Sequence, residues 1–106
     1  MDPHRLAEER SLALHSLVAA RLRDDPRLLT RAREKVQHWV ASGDAPYYAR
    51  AWQDLLAHPL DAICALLVAD TEEARAMRQA TPFAGAVGPR ERWRIWAETR
   101  KALSTR

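Results

Sequence analysis

The chain has 106 residues, a length typical of one domain, and its seventeen Lys and Arg against fourteen Asp and Glu give a net charge of +3. Its longest apolar run, from Ala62 to Ala69, is far shorter than the roughly 20 residues of a membrane helix, which excludes a transmembrane protein. The lone Cys64 excludes an intramolecular disulfide, and no apolar segment of a secretory signal follows the first residues, so we expect a soluble cytoplasmic protein.

Prolines divide the chain into segments with helical periodicity. Ala and Leu are abundant and β-branched residues are few, which favours helices, and no stretch alternates as a strand would. A proline is tolerated at the first position of a helix, and an Asp just before it can cap the free N–H groups. The sequence therefore predicts an all-α fold, a compact bundle of about five to six helices in a single domain over residues 1–106, with helices near 3–23, 26–42, 46–57, 59–69, 72–80 and 89–104.

The fourth predicted helix is the most apolar and should lie at the centre of the core. Its residues Leu60, Ile63 and Leu67 are expected to be buried. On the last helix, Trp93 and Trp96 fall on one stripe with Arg100 and Leu103, and we expect both Trp side chains to face the core. Residues predicted to pack against the fourth helix are Leu17, Val36, Trp52 and Trp96.

Residue patterns that carry catalysis or metal binding are missing from the sequence. No two of the four histidines are three or four residues apart, and Cys64 lies on an apolar face, where cysteine usually acts as a small hydrophobic residue. The glycines around Val87 lack the lysine of a phosphate-binding loop. We therefore expect no catalytic residue, no metal site and no cofactor, although an enzyme that uses Cys64 or a histidine remains a third alternative.

Charge is distributed unevenly along the chain. Residues 44–73 carry six acidic groups and one basic group, whereas residues 74–106 carry eight basic groups and two acidic ones. This asymmetry indicates a charged partner more strongly than the small net charge does.

The loop at 81–89 and the start of the last helix form the predicted partner-binding patch. The loop contains Phe83 and Val87 and leads directly into a run of arginines, so an apolar centre has an arginine rim. Alternatively, these two apolar side chains seal the helical core, or the Arg and Trp residues bind RNA phosphates and bases. The candidate partner-binding residues are Arg78, Phe83, Val87, Arg90, Arg92 and Arg94.

The chain resembles a family of small helical bacterial antitoxins in two stretches. One is Leu6–His15, and the other is Arg75–Gly85 followed by Pro89 and Arg92–Trp96; the block Tyr47–Trp52 fits the same pattern. These antitoxins are encoded beside nucleotidyltransferase toxins of the DNA polymerase β-like superfamily. The resemblance implies a cytoplasmic protein that inhibits its cognate toxin by direct contact. It leaves open whether the acidic centre or the basic C-terminal third faces the toxin, and an Arg/Trp-rich RNA-binding module is the alternative function.

Overall fold

The computed structural model of the chain describes residues 2–104, which form six α-helices and one short 3-10 turn without a β-strand in that range. The predicted all-α fold is confirmed, and each predicted helix boundary agrees with the structure within two residues. The helices are α1 (Pro3–Leu22), α2 (Pro26–Ser42), α3 (Pro46–Leu56), α4 (Leu60–Leu67), α5 (Glu72–Gln79) and α6 (Pro89–Ser104), with the 3-10 turn at Ala84–Ala86.

Side-chain caps begin several helices where the sequence places them. The carboxylates of Asp2 and Asp25 accept from backbone N–H groups at the starts of α1 and α2, and the hydroxyl of Thr71 does so for α5. Gly43 ends α2 in the left-handed conformation, with φ of 76°. Each cap satisfies backbone groups that the helix itself leaves unpaired.

The start of α3 differs from the prediction. Its N-cap is Ala45, which has a positive φ of 42° and no side-chain acceptor, rather than the aspartate that precedes it. The Asp44 carboxylate instead accepts from the hydroxyl of Ser42, at 3.0 Å. The tight turn between α2 and α3 thus places Asp44 beside the end of α2 rather than over the start of α3.

The core lies between α1, α2, α3, α4 and α5 and is closed by the loop before α6. Trp52 is completely buried, donates its indole N–H to the carbonyl of Met77 at 3.1 Å, and meets Phe83 edge to face at 5.8 Å. Ile63, Leu67, Val36 and Trp52 are buried as predicted, whereas Leu60, Leu17 and Trp96 are only partly buried at the edge of the core.

Helix α6 packs mainly on α1 and contributes no fully buried side chain. An Arg21–Glu91 ion pair joins the two helices. Arg21 Nη2 donates to Glu91 Oε1 at 2.5 Å, and Arg21 Nη1 donates to Glu91 Oε2 at 2.7 Å. Hydrogen bonding to Arg21 lowers the pKa of the Glu91 carboxyl, although a pair this exposed adds little stability. The helix is therefore attached to the bundle on one side, mainly through its extensive contact with α1.

The predicted orientation of α6 is wrong for Trp93. This side chain is 76% exposed, because the stripe that faces α1 is rotated by about one residue along the helix. A helix that packs on a single neighbour covers only a narrow stripe, so Trp93 falls outside it. The partly buried residues of α6 are Glu91, Arg92, Ile95, Trp96, Thr99 and Leu103.

Between residues 2 and 104, none of the helices has both the length and the apolar character that crossing a lipid bilayer requires.

Candidate functional site

A groove of about 380 Å³ lies between α1, the end of α5 with the loop after it, and α6. Three arginines, Arg10, Arg78 and Arg92, line it, and no carboxylate does; we call it the arginine groove. An apolar wall is formed by Leu14 and Trp96. The remaining lining residues are Ala7, Ser11, His15, Gln79, Thr81 and Ala84.

Two of the arginines are held in place but keep unused donors. The Arg10 guanidinium lies over the Trp96 ring, 5.8 Å from its centroid, and donates to the Trp96 carbonyl at 3.5 Å. The Arg92 guanidinium donates to the carbonyl of Ala84. Within residues 2–104, the buried Nε–H groups of Arg10 and Arg92 have no acceptor. Both cations are therefore oriented without being neutralised.

Arg78 has a structural role that the sequence does not reveal. It is only 3% exposed, and its Nη1 donates to the carbonyl of Ala69 at 2.8 Å, with longer contacts of 3.4 Å to Leu66 and Leu67. The carbonyls of Leu66 and Leu67 are in the last turn of α4 and that of Ala69 follows it, and a cation is favoured at this end of a helix. Burial lowers the pKa of Arg78, yet a guanidinium stays charged at neutral pH. The predicted partner-binding role of Arg78 is corrected accordingly: its side chain holds α4 to α5.

His15 forms the floor of the arginine groove in its neutral form. Its Nδ1 lies 2.7 Å from the Ser11 carbonyl, and its Nε2 lies 2.7 Å from the Thr81 hydroxyl. A carbonyl only accepts, so Nδ1 carries the proton and Nε2 accepts from Thr81. Burial lowers the pKa of the imidazole, and the nearby Arg78 cation lowers it further, against the raising effect of the Ser11 hydrogen bond. This histidine ties the loop after α5 to α1.

Acid should destabilise the fold through His15. Below about pH 6.5 the unfolded chain binds a proton at this histidine that the folded chain does not, so the free energy of unfolding should fall by up to about 1.4 kcal/mol per pH unit until the folded pKa is reached. Urea denaturation between pH 7 and pH 5 measures this slope, and His15→Gln should flatten it. His38→Gln, which replaces an exposed histidine, serves as the control and should keep the slope. An unchanged slope in His15→Gln would contradict the assignment.

The loop residues of the predicted patch occupy a different place from the one expected. Phe83 is 1% exposed and Val87 is 3% exposed, so both belong to the core and neither side chain is available to a partner. Thr81 positions the loop by accepting from the N–H of Phe83 at 3.0 Å. The alternative, in which these apolar side chains seal the core, describes the structure, and it explains why the loop is apolar.

The outer face of α6, defined by Arg90, Trp93 and Arg94, is exposed. Arg90 is three positions from Trp93 and four from Arg94, so its side chain is a neighbour of both on the helix surface, whereas Trp93 and Arg94 are adjacent in sequence and diverge by about 100°. Trp93 is the most exposed of the large hydrophobic side chains within residues 2–104. The structure thus separates the predicted arginines. Arg90 lies beside Trp93 on the outer face of α6, Arg94 lies at the edge of this face next to Glu91 and the contact with α1, and Arg92 lines the arginine groove.

A second surface has the opposite charge. Tyr47, which is 73% exposed, lies with Tyr48 beside Glu72 and Glu73 in an open groove between α3 and α5. The two tyrosine rings meet edge to face at 5.1 Å. This acidic surface belongs to the acidic centre of the chain and offers an alternative docking face.

Arg10 and His15 are the groove residues that sequence reasoning missed as site residues. Each is unremarkable on α1, and their partners, Trp96 and Thr81, are distant in sequence. The only signal was that both lie in the segment Leu6–His15, which carries part of the antitoxin resemblance. No cluster of three or more potential metal ligands occurs between residues 2 and 104.

Comparison of the chain with protein-family models, with curated proteins and with solved structures finds no match.

Proposed function

We propose that the protein is a cytoplasmic antitoxin that binds and inhibits a cognate nucleotidyltransferase toxin by direct contact through the outer face of α6. The observation that carries the proposal is the exposure of Trp93 beside the exposed Arg90, with Arg94 at the edge of the same face. Tryptophan and arginine are the residues that most often dominate the binding energy of protein interfaces.

The chemistry of this face suits a protein partner. Covering a tryptophan removes on the order of 150–250 Å² of mostly apolar surface from water, which is a large gain for one residue. Arg90 and Arg94 would form the polar rim on one side of such an anchor and would favour an acidic surface on the toxin. Because α6 packs mainly on α1, its outer face is free to meet a partner.

The position of the resembling segments also supports the proposal. All residues that line the arginine groove belong to the two stretches that resemble antitoxins, in the ranges Leu6–His15, Arg75–Gly85 and Arg92–Trp96. Segments that are far apart in sequence thus meet at one location, and that location includes the inner side of α6. If the resemblance reflects a common way of binding a toxin, the contact would lie at the end of the molecule that α1 and α6 form.

Trp93→Ala is expected to abolish the binding of the toxin. The measurement is co-expression of the chain with the product of the adjacent reading frame, followed by co-purification, mass determination and growth rescue. Loss of an exposed side chain should change stability by less than about 0.5 kcal/mol, so the variant stays folded. Tyr47→Ala is the matched control, because it removes an equally exposed aromatic residue from the acidic surface.

The pair of variants also tests the opposite docking face. If Tyr47→Ala loses the toxin and Trp93→Ala retains it, the acidic surface on α3 and α5 is the contact and the proposed surface is wrong. If the wild-type chain neither co-purifies with the neighbouring product nor rescues growth, the antitoxin function itself is contradicted.

A second candidate function, RNA binding, is favoured by the same exposed Trp93 and its arginines. Aromatic rings stack on bases while arginines bind phosphates. Such binding releases counterions from the RNA, so its affinity falls steeply as the salt concentration rises. A titration of single-stranded RNA at several salt concentrations separates the candidates, since a protein interface with an aromatic anchor depends on salt much less.

A further inference from the structure

We propose that the arginine groove is a binding site for the phosphate group of a small phosphate monoester, held between Arg10 and Arg92. This inference concerns the inner side of α6 and does not depend on the proposed toxin contact on the outer side. The juxtaposition that carries it is two oriented, unneutralised guanidinium groups in one groove with an aromatic wall.

Arg10 and Arg92 are partly buried but form no ion pair, unlike four other arginines within residues 2–104. Arg21, Arg23, Arg27 and Arg75 each form an ion pair with a carboxylate. Within residues 2–104, Arg10 and Arg92 form none, although both are partly buried and therefore less screened by water than a surface cation. Partly buried charges are normally paired. The carboxylates of Glu8 and Asp70 act on Arg78, and neither forms an ion pair with Arg10 or Arg92.

The donors of the groove are also incompletely used. A guanidinium has five N–H groups, and a buried donor without an acceptor costs free energy. Each arginine uses its Nη2 as a donor, Arg10 to the Trp96 carbonyl and Arg92 to the Ala84 carbonyl. The Nε–H groups are buried, whereas the Nη1 groups of both arginines have no acceptor within residues 2–104 and are the donors that an oxyanion in the groove would engage.

The charge and shape of the groove favour a phosphate monoester over a single carboxylate. Two guanidinium groups balance a dianion, and a phosphate monoester carries about −1.5 to −2 charges at pH 7. The planar fork of arginine binds two phosphate oxygens at once, and the hydroxyl of Ser11 adds a donor at the groove. The groove volume of about 380 Å³ leaves room for the body of a small ligand against Leu14 and Trp96.

The neutral state of His15 fits this assignment. Its two ring nitrogens are engaged by Ser11 and Thr81, so the floor of the groove is rigid and adds no positive charge of its own. Selectivity for the dianion would then rest on Arg10 and Arg92, with Arg78 already engaged by the carbonyls that end α4.

Titration of the full chain with ribose 5-phosphate, adenosine 5′-monophosphate and adenosine, at constant ionic strength, tests the proposal. The readout is the NMR signal of the Trp96 indole N–H and of the Arg10 and Arg92 Nε–H groups. Both phosphates are expected to give saturable shifts at up to millimolar concentration, and adenosine is expected to give none. The two phosphates distinguish a sugar phosphate from a nucleotide, since a nucleotide site would bind the second more tightly.

Matched variants show whether the groove arginines are responsible. Arg10→Gln and Arg92→Gln should each weaken binding roughly tenfold or more, the effect of losing a charged hydrogen-bonding partner. Arg90→Gln removes a cation from the outer face of α6 and should leave binding unchanged. Arg10→Lys keeps the charge but loses the planar fork, so it should bind with intermediate affinity.

Three results would overturn the proposal. These are the absence of a saturable shift with either phosphate, an equal loss of binding in Arg90→Gln, and binding of adenosine as tight as that of its monophosphate. Thermal melting of each variant precedes the titration. Should Arg92→Gln fail to fold, Arg10→Gln and Arg10→Lys decide the outcome, because Arg10 makes only a 3.5 Å hydrogen bond and a ring contact.

Discussion

Phe83→Ala should lower the free energy of unfolding by about 3–5 kcal/mol, the usual cost of truncating a buried aromatic side chain. Phe83 is 1% exposed and meets the Trp52 ring edge to face, so the variant loses both apolar burial and a favourable ring contact. A domain is typically stable by only about 5–15 kcal/mol, so a large part of the stability would disappear. Urea denaturation followed by circular dichroism measures the change.

Trp93→Ala is the control for Phe83→Ala, because it removes a larger aromatic side chain from an exposed position. Its free energy of unfolding should stay within about 0.5 kcal/mol of the wild type. Equal melting temperatures for Phe83→Ala and the wild type would show that the loop before α6 is not part of the core. The comparison also means that a loss of toxin binding in Phe83→Ala would report unfolding rather than a lost contact.

Leu67→Ala should cost about 2–5 kcal/mol, the range observed for truncating a buried leucine. Leu67 is completely buried at the end of α4, where the side chain of Arg78 also binds the Leu67 carbonyl. The cavity left by the missing methyl groups would lie at the junction of α4 and α5, which has little freedom to collapse. Denaturant unfolding at neutral pH measures the loss.

The neighbouring Val68 offers a matched control for this position. It is 44% exposed just after α4, so Val68→Ala should cost much less than Leu67→Ala, about 1 kcal/mol or less. If Leu67→Ala and Val68→Ala melted at the same temperature, α4 would not be the central helix of the core.

The helices could be predicted because their signals are local. Pro3, Pro26, Pro46 and Pro89 each begin a helix, as a residue with a fixed φ and no N–H should. Gly43 ends α2 because a residue without Cβ adopts the left-handed conformation at little cost. Such preferences act within a few residues and do not require knowledge of the tertiary structure.

The orientation of α6 could not be predicted in the same way. Two stripes on this helix share Trp96 and Leu103, but one includes Trp93 and the other includes Ile95. Both are apolar, so periodicity alone does not choose between them. The choice depends on how α6 meets α1, and the structure places Ile95 inward and Trp93 outward.

The arginine groove could not be predicted either, because its parts are distant in sequence. Arg10 meets Trp96 across 86 positions, and His15 meets Thr81 across 66. The apolar content of the loop at 81–89 did indicate that the loop packs onto something. Composition alone cannot tell whether an apolar loop covers its own core or a partner, since both remove the same surface from water.

Helix α6 is attached to the bundle on one side only. Because it packs mainly on α1 and has no fully buried side chain, we expect it to detach while the other five helices stay folded, at a free energy below that of global unfolding. Detachment would separate Arg92 from Arg10 and take apart the arginine groove. Any molecule bound across α1 and α6 would therefore slow the hydrogen exchange of the α6 amides. A ligand in the arginine groove would also raise the fraction of molecules in which α6 is docked and its outer face is ordered for a partner.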